Sequence, residues 1–265
     1  MKPELTTNEK KFTYAKYFTY PTEAFPAEKQ GILDGGSLSD DQMMKITERK
    51  NLMEPGYQEV ETGYGVMSDG TGYVANMTFM PGVTTEMLEW WFAWHSLEDC
   101  RYKIWNPEGH YYARTQDMQK TMSHNMPMRE RTWGTTRDVK ADMGNGPEDL
   151  VIEFKQPSEM GFDEELIGTK ECSTMMCANI HGPMAGEGMP MVMVMAAREV
   201  EGGLEVRTRI WLGYSLLWGM TMKQIAKGDS VCEAQVKGLF YQNVKKYDRL
   251  ATILPMIYEE EKDRF

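Results

Sequence analysis

The sequence has no apolar run approaching the ~20 residues that a membrane span needs, so no membrane partner is expected. It has no basic stripe to set against its net charge of −11, which argues against nucleic acid. Its N-terminus, MKPELTTNEKKF, is polar and holds no apolar signal core. Cysteine is scarce: Cys100, Cys172, Cys177 and Cys232 form no CxxC pair and no zinc-finger spacing, and read as reduced thiols of a cytoplasmic protein. Histidine is equally scarce, and neither His124 nor His181 has a carboxylate or a second histidine at ligand spacing. There is no HExxH, no GxSxG, no P-loop and no GxGxxG in a strand–turn–helix setting. No internal repeat or low-complexity tract interrupts the chain.

What is present suits a folded globular protein. The 265 residues are enough for one large domain, or a domain with a small appendage, and 41% are hydrophobic and 11% aromatic. Seven Trp and 24 Met make the core rich in rings and thioethers. The plain reading of the methionines is adaptable packing; the other is a deformable pocket for a flat organic ligand.

Residues 1–56 form a polar section with scattered aromatics, read as an arm, a small subdomain or a dimer contact, and 57–265 as the main domain. Within the first section, SLSDDQMMKITERKNLMEPG predicts one helix, started at Ser39 or Asp40 and stopped before Pro55. GYGVMSDGTGYVANMTFMPG predicts two short strands about an SDGTG turn. Thr84 or Thr85 then caps a helix through EMLEWWFAWHSLED, with Trp91, Phe92 and His95 on one face. RYKIWNPEGHYYAR, 101–114, reads as loop or strand with a Pro-Glu-Gly turn, and further strands are expected near 130–141 and 150–155. MVMVMAAREV, EGG and LEVRTRIWLGYSL make the clearest hairpin, its second arm alternating Val206, Thr208, Ile210 and Leu212 with Glu205, Arg207, Arg209 and Trp211. HGPMAGEGMP before it reads as a mobile loop, and as a lid if it overlies a cavity.

A long helix is expected from about Ser230 to Leu254, its apolar arc carrying Leu239, Asn243, Tyr247 and Leu250. Gln242 and Lys246 lie at the flank of that arc, roughly 80–120° from its centre. The fold class is α+β: a curved antiparallel sheet gripping the last helix, with an apolar cavity between them.

RYKIWNPEGH, EVRTRIWLGY and LATILPMIYEEE, in this order and with WWFAWH in support, resemble the diacetylphloroglucinol hydrolase family, which includes phloretin hydrolase. The resemblance spans about residues 60–262. It implies a Bet v 1-like helix-grip domain with a smaller N-terminal part, a homodimer, and hydrolysis of the carbon–carbon bond between a phenolic ring and an acyl group. It also implies a zinc ion held by two His and two Glu, one pair at i and i+4 on the last helix. Carried over residue by residue, those ligand positions fall on His110, Ala141, Gln242 and Lys246, so one ligand of four is retained. Tyr102 keeps the place of a tyrosine that contacts a phenolic hydroxyl, and an asparagine expected past the histidine is Ala113.

The expected function is therefore action on a phenolic ketone or flavonoid-type polyphenol by acid/base chemistry, as hydrolysis or a related isomerisation or ring-opening. Lys246, His110 and Gln242 are the candidate catalytic residues, and Tyr102, His95 and Trp91 the candidate substrate contacts. Lys246 stabilises an oxyanion as a cation, or acts as a base or Schiff-base amine when neutral; its plain alternative is a head group snorkelling to solvent. His95 has the plain alternative of a hydrogen-bonded core residue. No cofactor is expected. The alternatives are a non-catalytic binding protein for aromatic small molecules and, ranked last, a zinc hydrolase with relocated ligands such as His95 or His181.

Overall fold

The computed structural model describes residues 2–184 and 186–265. Its helices are α1 (Ala27–Gly35), α2 (Thr85–Trp94), α3 (Asp99–Trp105), α4 (Met118–Thr121) and α5 (Glu233–Glu261). Its strands are β1 (Gly63–Val66), β2 (Gly72–Pro81), β3 (His110–Thr115), β4 (Thr136–Asp142), β5 (Pro147–Lys155), β6 (Thr174–His181), β7 (Met191–Val200), β8 (Gly203–Leu212), β9 (Tyr214–Leu217) and β10 (Met220–Lys223). The first eight form one antiparallel sheet in the order β1-β2-β8-β7-β6-β5-β4-β3, and β9 and β10 form a separate pair. The sheet wraps α5, giving an α+β arrangement in which a curved antiparallel sheet grips the last helix. No helix of the described residues is long and apolar enough to cross a membrane.

The β1–β2 and β7–β8 hairpins form as the alternating patterns predict, and Thr84 caps α2 by accepting from the Met87 N–H. Elsewhere the structure corrects the sequence reading. Residues 99–105 are helical, although Cys100, Tyr102 and Ile104 alternate with Arg101 and Lys103 as in a strand. Tertiary bonds decide the matter: Lys103 reaches Glu9, and the Ile104 carbonyl accepts from Arg249 Nε. The single helix expected over 39–54 is two 3-10 segments, Asp40–Gln42 and Ile46–Met53, each started by a backbone N–H that donates to the side chain three residues on, Ser39 to Gln42 and Lys45 to Glu48. Strand β4 begins at Thr136, not near 130.

The last helix does not stop at Leu254. It runs through Pro255 to Glu261. A proline inside a helix costs ~3 kcal/mol, because the Ala251 carbonyl loses its partner. Burial of Ile257, Tyr258 and Glu261 beyond it offsets that cost, with the Tyr258 hydroxyl donating to Glu86 at 2.7 Å.

The alternation in β8 predicts one wet face, yet both faces are buried. Residues 44–61 cover the outer one. The Met44 carbonyl accepts from Trp211 Nε1, the Leu52 carbonyl from Arg207, and Glu61 pairs with Arg207 and Arg209 at 2.7 and 2.5 Å. On the helix side, Arg249 donates to the Tyr17 and Tyr20 carbonyls and ties the first residues to α5.

Candidate active site

The space between α5 and the sheet narrows to an enclosed cavity of about 40 Å³. That volume holds a few waters at most. A phenolic ring enters only if the wall retreats, and Met143 and Met193 are the deformable parts of that wall. Met143 sits in the β4–β5 turn, which rests on α5 through Gly144 and Gly238. A Cβ on Gly144 would stand 2.4 Å from the Gly238 carbonyl carbon, so the two backbones touch.

His110 opens β3, and the register sets Ala141 of β4 opposite it. Cross-strand partners share a face, so both look toward α5. From α5, Gln242 and Lys246, one turn apart, line the same cavity, and Tyr102 of α3 completes the group. The turn before His110 is shaped by Asn106, whose carbonyl accepts from the Gly109 and His110 N–H groups and whose Nδ2 donates to Gln242 Oε1 at 3.0 Å.

The rings form a column. Trp91 stacks on His95 at 5.5 Å, His95 on Tyr102 at 5.9 Å, and Tyr102 on His110 at 3.8 Å with planes 2° apart. Trp105 stands edge-on to His95, Tyr102 and His110, and its Nε1 donates to the Lys246 carbonyl at 2.7 Å. The column fixes where His110 stands, and the Trp105 bond fixes the turn of helix that carries Lys246.

His110 Nδ1 donates to the Tyr102 carbonyl at 3.1 Å, which leaves Nε2 as the unprotonated nitrogen. Nε2 has no partner among the described residues. Burial, then the nearby Lys246 charge, hold the imidazole well below its ordinary pKa, so it is neutral. Lys246 as a residue is only partly buried, but its ammonium end is enclosed, 5.4 and 5.5 Å from the centroids of Trp105 and Tyr247. It is the enclosed end that sets the pKa, which burial pulls down to about 8. No hydrogen-bond acceptor or carboxylate among the described residues meets it.

Trp91 and His95 do not reach the cavity wall. His95 stands one layer behind Tyr102, with Nδ1 on the Trp91 carbonyl at 2.7 Å and Nε2 on Arg137 at 3.2 Å. Both nitrogens are engaged, as in a core histidine. His181, at the end of β6, faces the Gly182 carbonyl and Glu153 instead. The described residues of the 181–190 loop are not part of the cavity, and residue 185 lies outside the described residues.

The four positions that the resemblance assigns to zinc do not fit that ion. Ala141 offers a methyl group, Lys246 a cation, and Gln242 an amide whose oxygen is already bonded. Among the described residues no group of three or more His, Cys, Asp and Glu is placed to hold a metal.

Sequence reading missed Asn106, Trp105 as a helix anchor, and Arg137. It also passed over Asn243, whose Oδ1 accepts from Asn76 and Thr208 while its buried Nδ2 has no partner. A larger open groove of about 840 Å³ lies between residues 18–26 and the outer side of α5. Its cations are already engaged, Lys245 with Glu108 and Arg249 with carbonyls, and Asp248 pairs with Lys29, while Glu23 is exposed at its rim. The small cavity, with its unpartnered amine and imidazole, is the better candidate for chemistry.

A family model described as the DAPG hydrolase PhiG domain matches residues 43–259. Phloretin hydrolase of Eubacterium ramulus is 40% identical over 260 residues, covering 97% of this chain and 93% of that protein. A 2,4-diacetylphloroglucinol hydrolase of a Pseudomonas species is 27% identical over 260 residues, covering 93% of this chain and 87% of its own length. Among solved structures, Ara h 8.0201 matches with a TM-score of 0.44 and 10% identity, over 71% of this chain and 99% of that one.

Proposed function

Because the chain belongs to the DAPG hydrolase PhiG domain family, whose relatives are hydrolases of phenolic ketones, we propose that it cleaves the bond between a polyhydroxylated ring and its acyl group, with Lys246 and His110 as the acting residues. The observation that carries this is the pairing, in one enclosed cavity, of an ammonium without a counter-ion and an imidazole nitrogen without a partner among the described residues.

The chemistry follows from those two groups. The ring tautomerises by taking a proton at its acylated carbon, which makes a 1,3-dicarbonyl. His110 Nε2 removes a proton from water, and the resulting hydroxide adds to the acyl carbonyl. The Lys246 ammonium stabilises the oxyanion. The carbon–carbon bond breaks, its electron pair passes to the neighbouring ring carbonyl and restores the aromatic ring as a phenolate, which then takes a proton on oxygen. The net change is ketone plus water to arene plus carboxylic acid. Tyr102 and Gln242 are placed to hold ring oxygens. The homodimer that the resemblance implies is carried with this reading.

A second reading, a non-catalytic binder of aromatic molecules, is favoured by the poor fit of the four positions to zinc. Product analysis separates the two. Incubation with phloretin and with 2,4-diacetylphloroglucinol is expected to release one carboxylic acid per ring. His110→Asn is expected to lower the rate by at least ~100-fold. Ligand binding without any released acid would leave the binder.

A further inference from the structure

In a chain whose net charge is −11, the cavity and the ring column behind it hold more cations than carboxylates. Among the described residues Lys246 meets no acceptor. Behind the ring column lies Arg137 of β4, 1% exposed. Its Nη2 donates to the Phe92 carbonyl at 2.8 Å and Thr132 Oγ1 at 3.3 Å, its Nη1 to His95 Nε2 at 3.2 Å, and its Nε has no partner. The guanidinium lies over the Phe154 ring at 4.4 Å, and no carboxylate of the described residues pairs with it.

The same fold gives carboxylates to several other buried cations: Lys29 has Asp248, Lys103 has Glu9, Arg198 has Glu205, and Arg207 and Arg209 share Glu61. Arg49, Arg131 and Arg249 are, like Arg137, buried with no carboxylate among the described residues, but they lie away from the ring column. Removing an unpaired cation from water costs several kcal/mol.

The groups facing the cavity and the column give a charge count. Lys246 and Arg137 are positive. His95 and His110 are held neutral by burial and by these cations. Tyr102 and Tyr247 are phenols pushed upward by burial. The lining carboxylate is Asp142, whose Oδ1 accepts from the Gly144 and Gly146 N–H groups at 2.7 and 3.0 Å. Two cations against one carboxylate leave one positive charge over.

We infer that the cavity takes its phenolic ligand as the monoanion, an ionised phenol or the enolate of its dicarbonyl tautomer, and that Arg137, though the ring column screens it from contact, is a specificity-determining charge. Arg137 donates to His95 Nε2, and the His95 ring backs Tyr102, so the guanidinium stands one ring layer behind the phenol that lines the cavity. This rests on the reading of the cavity as a phenol site, but not on turnover.

The test uses the unmodified protein and two probes of nearly equal shape, 4-nitrophenol and its methyl ether, which cannot ionise. Absorbance reports the ionisation of bound nitrophenol directly. Bound nitrophenol is expected to ionise about one pH unit below the free probe, and the ether to bind at least ~10-fold more weakly than the phenol at pH 7. Arg137→Met, checked for folding by circular dichroism, is expected to lose about half of the shift, with Arg137→Lys keeping most of it. Equal binding of the two probes, or ionisation of the bound phenol at or above the pH of the free one, overturns the charge preference alone. Failure of both probes to bind refutes the phenol site and the inference with it. If the Arg137 variants do not fold, the shift and the probe ratio in the unmodified protein decide the matter. A full shift in a folded Arg137→Met removes the role given to Arg137.

Discussion

Lys246 stores a cost that pH can release. Its amine titrates near 10.5 in an unfolded chain and at about 8 in the fold. Between those values the unfolded chain holds a proton that the folded one has lost, so stability rises with pH across that window. Below pH 8 the penalty of the buried ammonium is fully present. Lys246→Met should therefore be more stable than the parent at pH 7, by about 1–3 kcal/mol. The gap should narrow between pH 8 and 10.5, as urea unfolding at pH 7 and 10 can measure. Activity that needs the ammonium should fall above pH 8, the opposite trend to stability.

At this scale the sequence was partly legible. Counting along the last helix places Gln242 and Lys246 together at the flank of its apolar arc, and the structure sets both on one cavity. His95 lies on a correctly predicted helical face, but a face does not say how many layers lie between it and a cavity. Arg137 had a signal that went unread. It is in phase with Val139 and Ala141 in the period-2 pattern of β4, and a charge in step with apolar positions points inward.

Among the elements, the contact between the β4–β5 turn and α5 sets access to the cavity. A Cβ on Gly238 would stand 2.7 Å from the Gly144 Cα and 2.8 Å from its carbonyl oxygen, both backbone atoms. Gly144 itself has φ of 111°, which a side chain would strain. Gly238→Ala is expected to lower stability by ~1–3 kcal/mol, read from denaturant unfolding, and to raise KM more than it changes kcat. The long helix was legible from its apolar arc, but not its end. Pro255 is a local stop signal that burial of Ile257 and Tyr258 overrides. Helix α3 was misread because seven residues cannot separate a period of 2 from 3.6 when Cys100, Tyr102, Ile104 and Trp105 are all buried.

Over the whole molecule, the outer face of the sheet is the feature that pattern reading could least supply. Glu205, Arg207 and Arg209 look like solvent positions in β8, and become buried only because residues 44–61 lie across them. Glu61 is the keystone of that cover. Arg207 and Arg209 hold its carboxyl below the usual range against the opposing effect of burial. Glu61→Gln keeps the shape and removes the charge, leaving two buried guanidiniums unpaired. The expected loss is about 3–5 kcal/mol, seen as a lower urea midpoint and as earlier proteolysis within residues 44–61.

The account turns on Lys246 as the cation that acts in the cavity. The most direct test is the rate of acid release from an acylated phenol at pH 7 by Lys246→Met relative to the unmodified protein, both shown to be folded. The account predicts a loss of at least ~100-fold, the scale of one removed oxyanion-stabilising group. A Lys246→Met protein that cleaves at the parent rate would contradict it.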